Sequence, residues 1–174
     1  QCPGRSEQTT ELVVYSTAAD TAPALLPTTP GTLYDIPYHW YAPRQLLVGH
    51  NDGSETSLWR YELSENCATV EKQTLIAREA AVDIWQARMS LQHGLLAITS
   101  LARAPNSQSQ VRILHEFTQP SRWRPVTGGA DWADKPRWAQ AQDTATSLYY
   151  LSNQGSDIFN VWSATIDATT GRRD

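Results

Sequence analysis

Strong charge of either sign is missing from this chain. Charged residues make up 18% of its 174 positions and the formal net charge is −4. It therefore lacks the clustered Lys and Arg that a nucleic-acid backbone requires. The two Arg residues among positions 171–174 form a tail, not a patch. Long hydrophobic runs are also missing, and no apolar stretch approaches the ~18 residues of a membrane-spanning helix. The first residues show no signal-peptide pattern, as would also hold for a chain already processed. Cysteine is scarce, with only Cys2 and Cys67 present. Two Cys at that spacing, without several neighbouring His, make no structural zinc site. Two readings stay open for them: a disulfide tying the N-terminus to the loop after Leu63, which implies an oxidising compartment, or two unpaired thiols.

Catalytic signatures are missing as well. There is no Gly-x-Ser-x-Gly elbow and no glycine-rich phosphate loop. Residues 51–55 (Asn51-Asp52-Gly53-Ser54-Glu55) are too short, and alternate too little, for a calcium loop. Catalytic residues, metal ligands and cofactors are therefore all assigned as none. A long, capped helical pattern is missing too. Residues 76–89, rich in Ala and Arg, come closest to one, but their place in the repeat described next reads as strand.

What the chain does have is one pattern in three copies, about fifty residues apart, the mark of a repeat architecture. The first copy runs Asp35-Ile36-Pro37-Tyr38-His39-Trp40, then Leu46-Leu47-Val48-Gly49, then Leu58-Trp59-Arg60-Tyr61-Glu62-Leu63. The second runs Asp83-Ile84-Trp85-Gln86-Ala87-Arg88-Met89, then Leu95-Leu96-Ala97-Ile98, then Val111-Arg112-Ile113-Leu114-His115-Glu116-Phe117. The third runs Asp134-Lys135-Pro136-Arg137-Trp138, then Leu148-Tyr149-Tyr150-Leu151, then Val161-Trp162-Ser163-Ala164. A fourth segment follows the first two copies, at 69–76 and 122–127. The second segments are continuous apolar runs, as expected of strands buried on both faces. The third segments alternate with period two, as one-sided strands do. Asn51-Asp52-Gly53-Ser54, Ala104-Pro105-Asn106-Ser107 and Asn153-Gln154-Gly155-Ser156 carry the turn chemistry of hairpin loops, with Gly53 and Gly155 where positive φ is needed. Val14-Tyr15-Ser16-Thr17 matches a third strand, with residues 24–29 as the fourth.

A four-stranded antiparallel unit at this period is a propeller blade. The motif Asp134-Lys135-Pro136-Arg137-Trp138 with Leu148-Tyr149-Tyr150-Leu151-Ser152-Asn153 resembles the TolB-type, WD-like propeller repeat, whose blades open with an Asp-x-x-Pro-x-Trp-like motif before an apolar strand. Trp123-Arg124-Pro125-Val126-Thr127, and the stretch from Trp132 through Trp162, resemble bacterial propeller modules attached to serine/threonine kinases or winged-helix regulators. The likeness covers residues 35–171 well and the N-terminal part weakly. The usual Ser-Pro-Asp-Gly turn is replaced by Ala139-Gln140-Ala141-Gln142-Asp143 and by Ser90-Leu91-Gln92-His93-Gly94. The expected fold is thus all-β, a partial β-propeller of roughly three and a half four-stranded antiparallel blades. The expected division is a half blade at 1–30 and blades at about 31–78, 79–129 and 130–174, together one domain. Closed propellers have at least ~4 blades, so the arc is expected to be a piece of a larger propeller, with self-association through open blade edges as another outcome.

The resemblance implies a non-catalytic binding or sensor module for a protein, a peptide or a small ligand, in an extracytoplasmic bacterial setting. The alternative is the gating propeller of a prolyl-oligopeptidase-like hydrolase, whose catalytic domain would be separate. The default binding surface is the set of loops leading into the innermost strands. There Trp132, Asp134, Lys135 and Arg137 are the candidate binding residues. Trp132, beside Asp131 and Asp134, reads as an aromatic anchor on an exposed connection. Asp35, Asp83 and Asp134 recur once per unit and read as acceptors for neighbouring turn backbone. Trp40, Trp59, Trp138 and Trp162 sit at repeat positions and are expected to pack between blades. His50, next to Asn51 and Asp52, reads as part of a solvated turn, and His115 as a structural residue on a strand face.

Overall fold

The computed structural model describes residues 12–15, 23–26, 34–90, 92–103, 108–115, 123–139 and 145–174. Thirteen strands run through them: β1 (Leu12–Val14), β2 (Ala24–Leu26), β3 (Tyr34–Ala42), β4 (Gln45–Asn51), β5 (Thr56–Leu63), β6 (Val70–Glu79), β7 (Val82–Ser90), β8 (Leu95–Ala102), β9 (Ser109–His115), β10 (Arg124–Pro125), β11 (Ala133–Trp138), β12 (Ala145–Ser152) and β13 (Asn160–Asp167). No helix occurs among the described residues. Residues 76–89 are the end of β6 and nearly all of β7. The repeat position thus outweighed the Ala- and Arg-rich composition.

The strands form four antiparallel sheets: β1–β2, β3 to β6, β7 to β10, and β11 to β13. Within each sheet the spatial order is the chain order, so every neighbour is a hairpin partner. Turn residues set these hairpins. Gly53 and Gly155 adopt φ of 89° and 70° in the β4–β5 and β12–β13 loops, conformations open to glycine at little cost. The loop at 104–107, Phe117 and Cys2 lie outside the described residues.

The sheets stack face to face in chain order, and each interface holds one apolar cluster. Leu12, Leu26, Leu46, Val48, Tyr61 and Leu63 join the first sheet to the second. Tyr38, Leu47, Leu58, Ile84, Leu96 and Ile98 are among those joining the second to the third. Leu95, Val111, Ile113, Leu148, Tyr150 and Ile166 join the third to the fourth. β4 and β8 contribute to an interface on each face, which is why their sequences are unbroken apolar runs. Fully burying such a Leu or Ile contributes about 1.5–3 kcal/mol.

Two expected inter-sheet tryptophans are not enclosed. Trp40 is 46% exposed, because its side chain faces a cleft bounded by the short strands β1 and β2. Trp162 is 37% exposed: β13 is the last strand of its sheet, and its outer edge is bridged by the C-terminal residues only further along, at Ile166. Trp59 and Trp138 do pack against the clusters. Trp123, at no regular repeat position, is buried between the second and third sheets.

Candidate functional site

The first strand of each full sheet carries a β-bulge. Tyr38 is the extra residue in β3, between the pairs Pro37↔Val48 and His39↔Leu47. Trp85 is extra in β7, between Ile84↔Ser100 and Gln86↔Thr99. In β11 the bulge falls at Lys135 and Pro136, with Lys135 at a φ of 54°. A bulge switches which face the following residues point to. Past these bulges, His39, Arg88 and Arg137 lie opposite Leu47, Ala97 and Tyr149. The two intervals between them are the same, 49 residues each, read from positions 39, 88 and 137.

These three basic residues come together in one groove of about 350 Å³, along with Met89, Ser90 and Trp138. Polar contacts between the strands fix its walls. The Arg88 Nη1 donates to the Tyr38 carbonyl of β3 and, at 2.9 Å, to the Ala87 carbonyl. The Met89 N–H donates to His39 Nδ1 at 3.2 Å, and Trp138 Nε1–H donates to the Arg88 carbonyl at 2.9 Å. With Nδ1 accepting, the N–H of neutral His39 is at Nε2. Burial, then the positive charges of Arg88 and Arg137, hold the His39 pKa below its ordinary value. Burial, then Arg137, also lowers that of Arg88. The groove is therefore an electropositive pocket built from three adjacent strands.

Of the four candidate binding residues, Arg137 lies in this groove and Trp132, Asp134 and Lys135 do not. Lys135 is exposed on the bulge. Asp134 accepts hydrogen bonds from Thr99 Oγ1 of β8 at 3.1 Å and from the Lys135 N–H at 2.6 Å. Trp132 is half-buried, with its ring edge-on to Trp85 at 6.3 Å between centroids. Its backbone N–H and carbonyl both bond to Asn153, so it belongs to the far end of the sheet. Cys67 is a half-buried free thiol at the β5–β6 turn. His39 and Arg88 were passed over in the sequence. The available signal was a basic residue recurring at an even 49-residue spacing, just before Trp40, Met89 and Trp138.

The recurrent aspartates act as ties to neighbouring side chains more than to turn backbone. Asp83 accepts from Asn51 Nδ2 at 3.2 Å and Thr56 Oγ1 at 3.1 Å, both in the preceding sheet, and forms an ion pair of 2.7 Å with Arg103. Asp35 pairs with His50 Nδ1, while His50 Nε2 lies 2.9 Å from the Tyr61 hydroxyl. His50 is thus buried at 3% exposure, not solvated as its loop-like neighbours suggested, because β4 carries it between β3 and β5. Among the described residues, no group of three or more His, Cys, Asp or Glu is placed to hold a metal ion. Among the described residues no helix is long and apolar enough to cross a membrane.

No family model, curated protein or solved structure matches the chain.

Proposed function

We propose that the chain is an arc of a β-propeller used as a non-catalytic binding scaffold, and that its ligand site is the groove along the first strands. Three features support the propeller reading. The meanders follow chain order, consecutive sheets stack face to face, and the first strands adjoin, β3 against β7 and β7 against β11. The observation that carries the binding reading is the convergence of one residue from each of those strands on a single groove. Rigid strands with bulges aim side chains at a common point better than loops do. The occupant on this reading is a small ligand, or a segment of a peptide or protein partner.

Single charge reversals separate this groove from the exposed bulge beside it. A fragment mixture monitored by NMR is expected to shift backbone resonances around His39, Arg88 and Arg137. Arg137→Glu is expected to abolish those shifts, while Lys135→Glu leaves them intact, and neither is expected to lower the Tm by more than a few degrees. Ligand-induced shifts confined to the 153–159 loop, or abolished by Lys135→Glu alone, would overturn the reading.

A further inference from the structure

Among the described residues, no carboxylate lines the groove. The chain has more Asp and Glu than Lys and Arg, 18 against 14. Elsewhere Arg60, Lys72, Arg78, Arg103 and Arg112 are each within ion-pair distance of an acidic side chain. Among the described residues Arg88 and Arg137 have no such partner, and their acceptors there are backbone carbonyls, each reached through Nη1. The remaining guanidinium donors, Nε and Nη2 on both residues, are left for a ligand. The two cations also raise each other's free energy. Hydrogen bonds to β3 and β7 backbone keep Arg88 from swinging away, so that cost is built into the free protein.

An oxyanion relieves it. Resting on the reading of the groove as a ligand site, we propose that its ligand bears a carboxylate or phosphate group, bound by Arg88, Arg137 and the Nε2–H of His39, with an aromatic or apolar body against Trp138. Guanidinium forks match the spacing of paired oxygens on such groups, and charge-assisted bonds are the stronger kind. Neutral His39 adds a directional donor without a third full charge. The half-buried indole of Trp138, fixed by its bond to Arg88, supplies a flat wall for the body of the ligand.

Calorimetric titration of the full chain with benzoate, phenyl phosphate and uncharged benzamide tests this. At least one of the two anions is expected to bind about tenfold or more tightly than benzamide, with affinity falling as salt is raised. Arg137→Gln is expected to weaken that anion about tenfold, and Lys135→Gln by less than about twofold. Arg137 is exposed, so its variant keeps the fold, which a matching melting curve verifies. The better of the two anions separates a carboxylate ligand from a phosphate one, and either preference supports the inference. Benzamide binding the groove as well as benzoate overturns the oxyanion while leaving the scaffold standing. Anion binding that Arg137→Gln leaves unchanged, or no binding by either anion at millimolar concentration, also overturns it.

Discussion

Asp52 holds the β4–β5 turn through one carboxylate oxygen, which accepts from the Ser54 N–H and hydroxyl and the Glu55 N–H at 2.7–2.8 Å. The bond from Glu55 is the leading cause of a carboxyl pKa lowered from 3.8 to about 2. The folded carboxyl therefore stays ionised where the unfolded one is protonated. Its contribution is fully present above pH 3.8 and is lost as pH falls to about 2. Acid unfolding curves should show that Asp52→Asn removes part of the pH dependence in this window; identical slopes for the two proteins would contradict the assignment. The turn itself was legible, since Asn, Asp, Gly and Ser each favour turns for a local reason. His50, two residues earlier, was not. Its partners are Asp35, fifteen residues away, and Tyr61, eleven residues away, and no local pattern shows that β3 and β5 enclose it.

Strand order and hairpin pairing were readable from alternation and turn chemistry, while the bulges were not. A bulge adds one residue to a ladder, and the sequence around Tyr38, Trp85 or Lys135 gives no period that marks it. That is also why Arg137 could be picked out without its companions: the groove depends on which way residues face beyond each bulge. Gly49 shows how tightly one bulge is held. It sits in β4, paired with Ile36 and Leu58, and the Tyr38 ring covers the space where a side chain would be. A methyl group there would place its carbon 2.6 Å from Tyr38 Cζ. Tyr38 in turn donates its hydroxyl to the Ile84 carbonyl of the next sheet, so it cannot move without breaking that tie. Gly49→Ala is expected to destabilise the protein by about 1–3 kcal/mol, the usual range for overpacking. Urea unfolding measures this, and a change below about 0.5 kcal/mol, the level of a neutral surface substitution, would show that Tyr38 packs elsewhere.

At the scale of the whole molecule, the period of the repeat fixed how the sheets succeed one another, because it places an apolar face on each side of β4 and β8. The angle between consecutive sheets, by contrast, is encoded by no residue pattern. What the stacking does dictate is a gradient of stability. The main packing contacts join consecutive sheets, so each sheet is held by its neighbours, much as in other linear repeat proteins. The second and third sheets have a cluster on both faces. Among the described residues the first sheet has two three-residue strands, and on β13 Val161 is 71% exposed. Local opening therefore costs least in β1, β2 and β13, where few apolar contacts are lost, and most in β4 and β8. Native-state hydrogen exchange is expected to be slowest in β4 and β8, by roughly 100-fold or more relative to β13, since that ratio requires only a few kcal/mol of extra opening free energy. Adding denaturant should bring β4 and β8 to a common unfolding step while β13 still opens separately. Equal protection across β4, β8 and β13 would mean that the stack unfolds as one unit, and that the outer face of β13 is covered in solution.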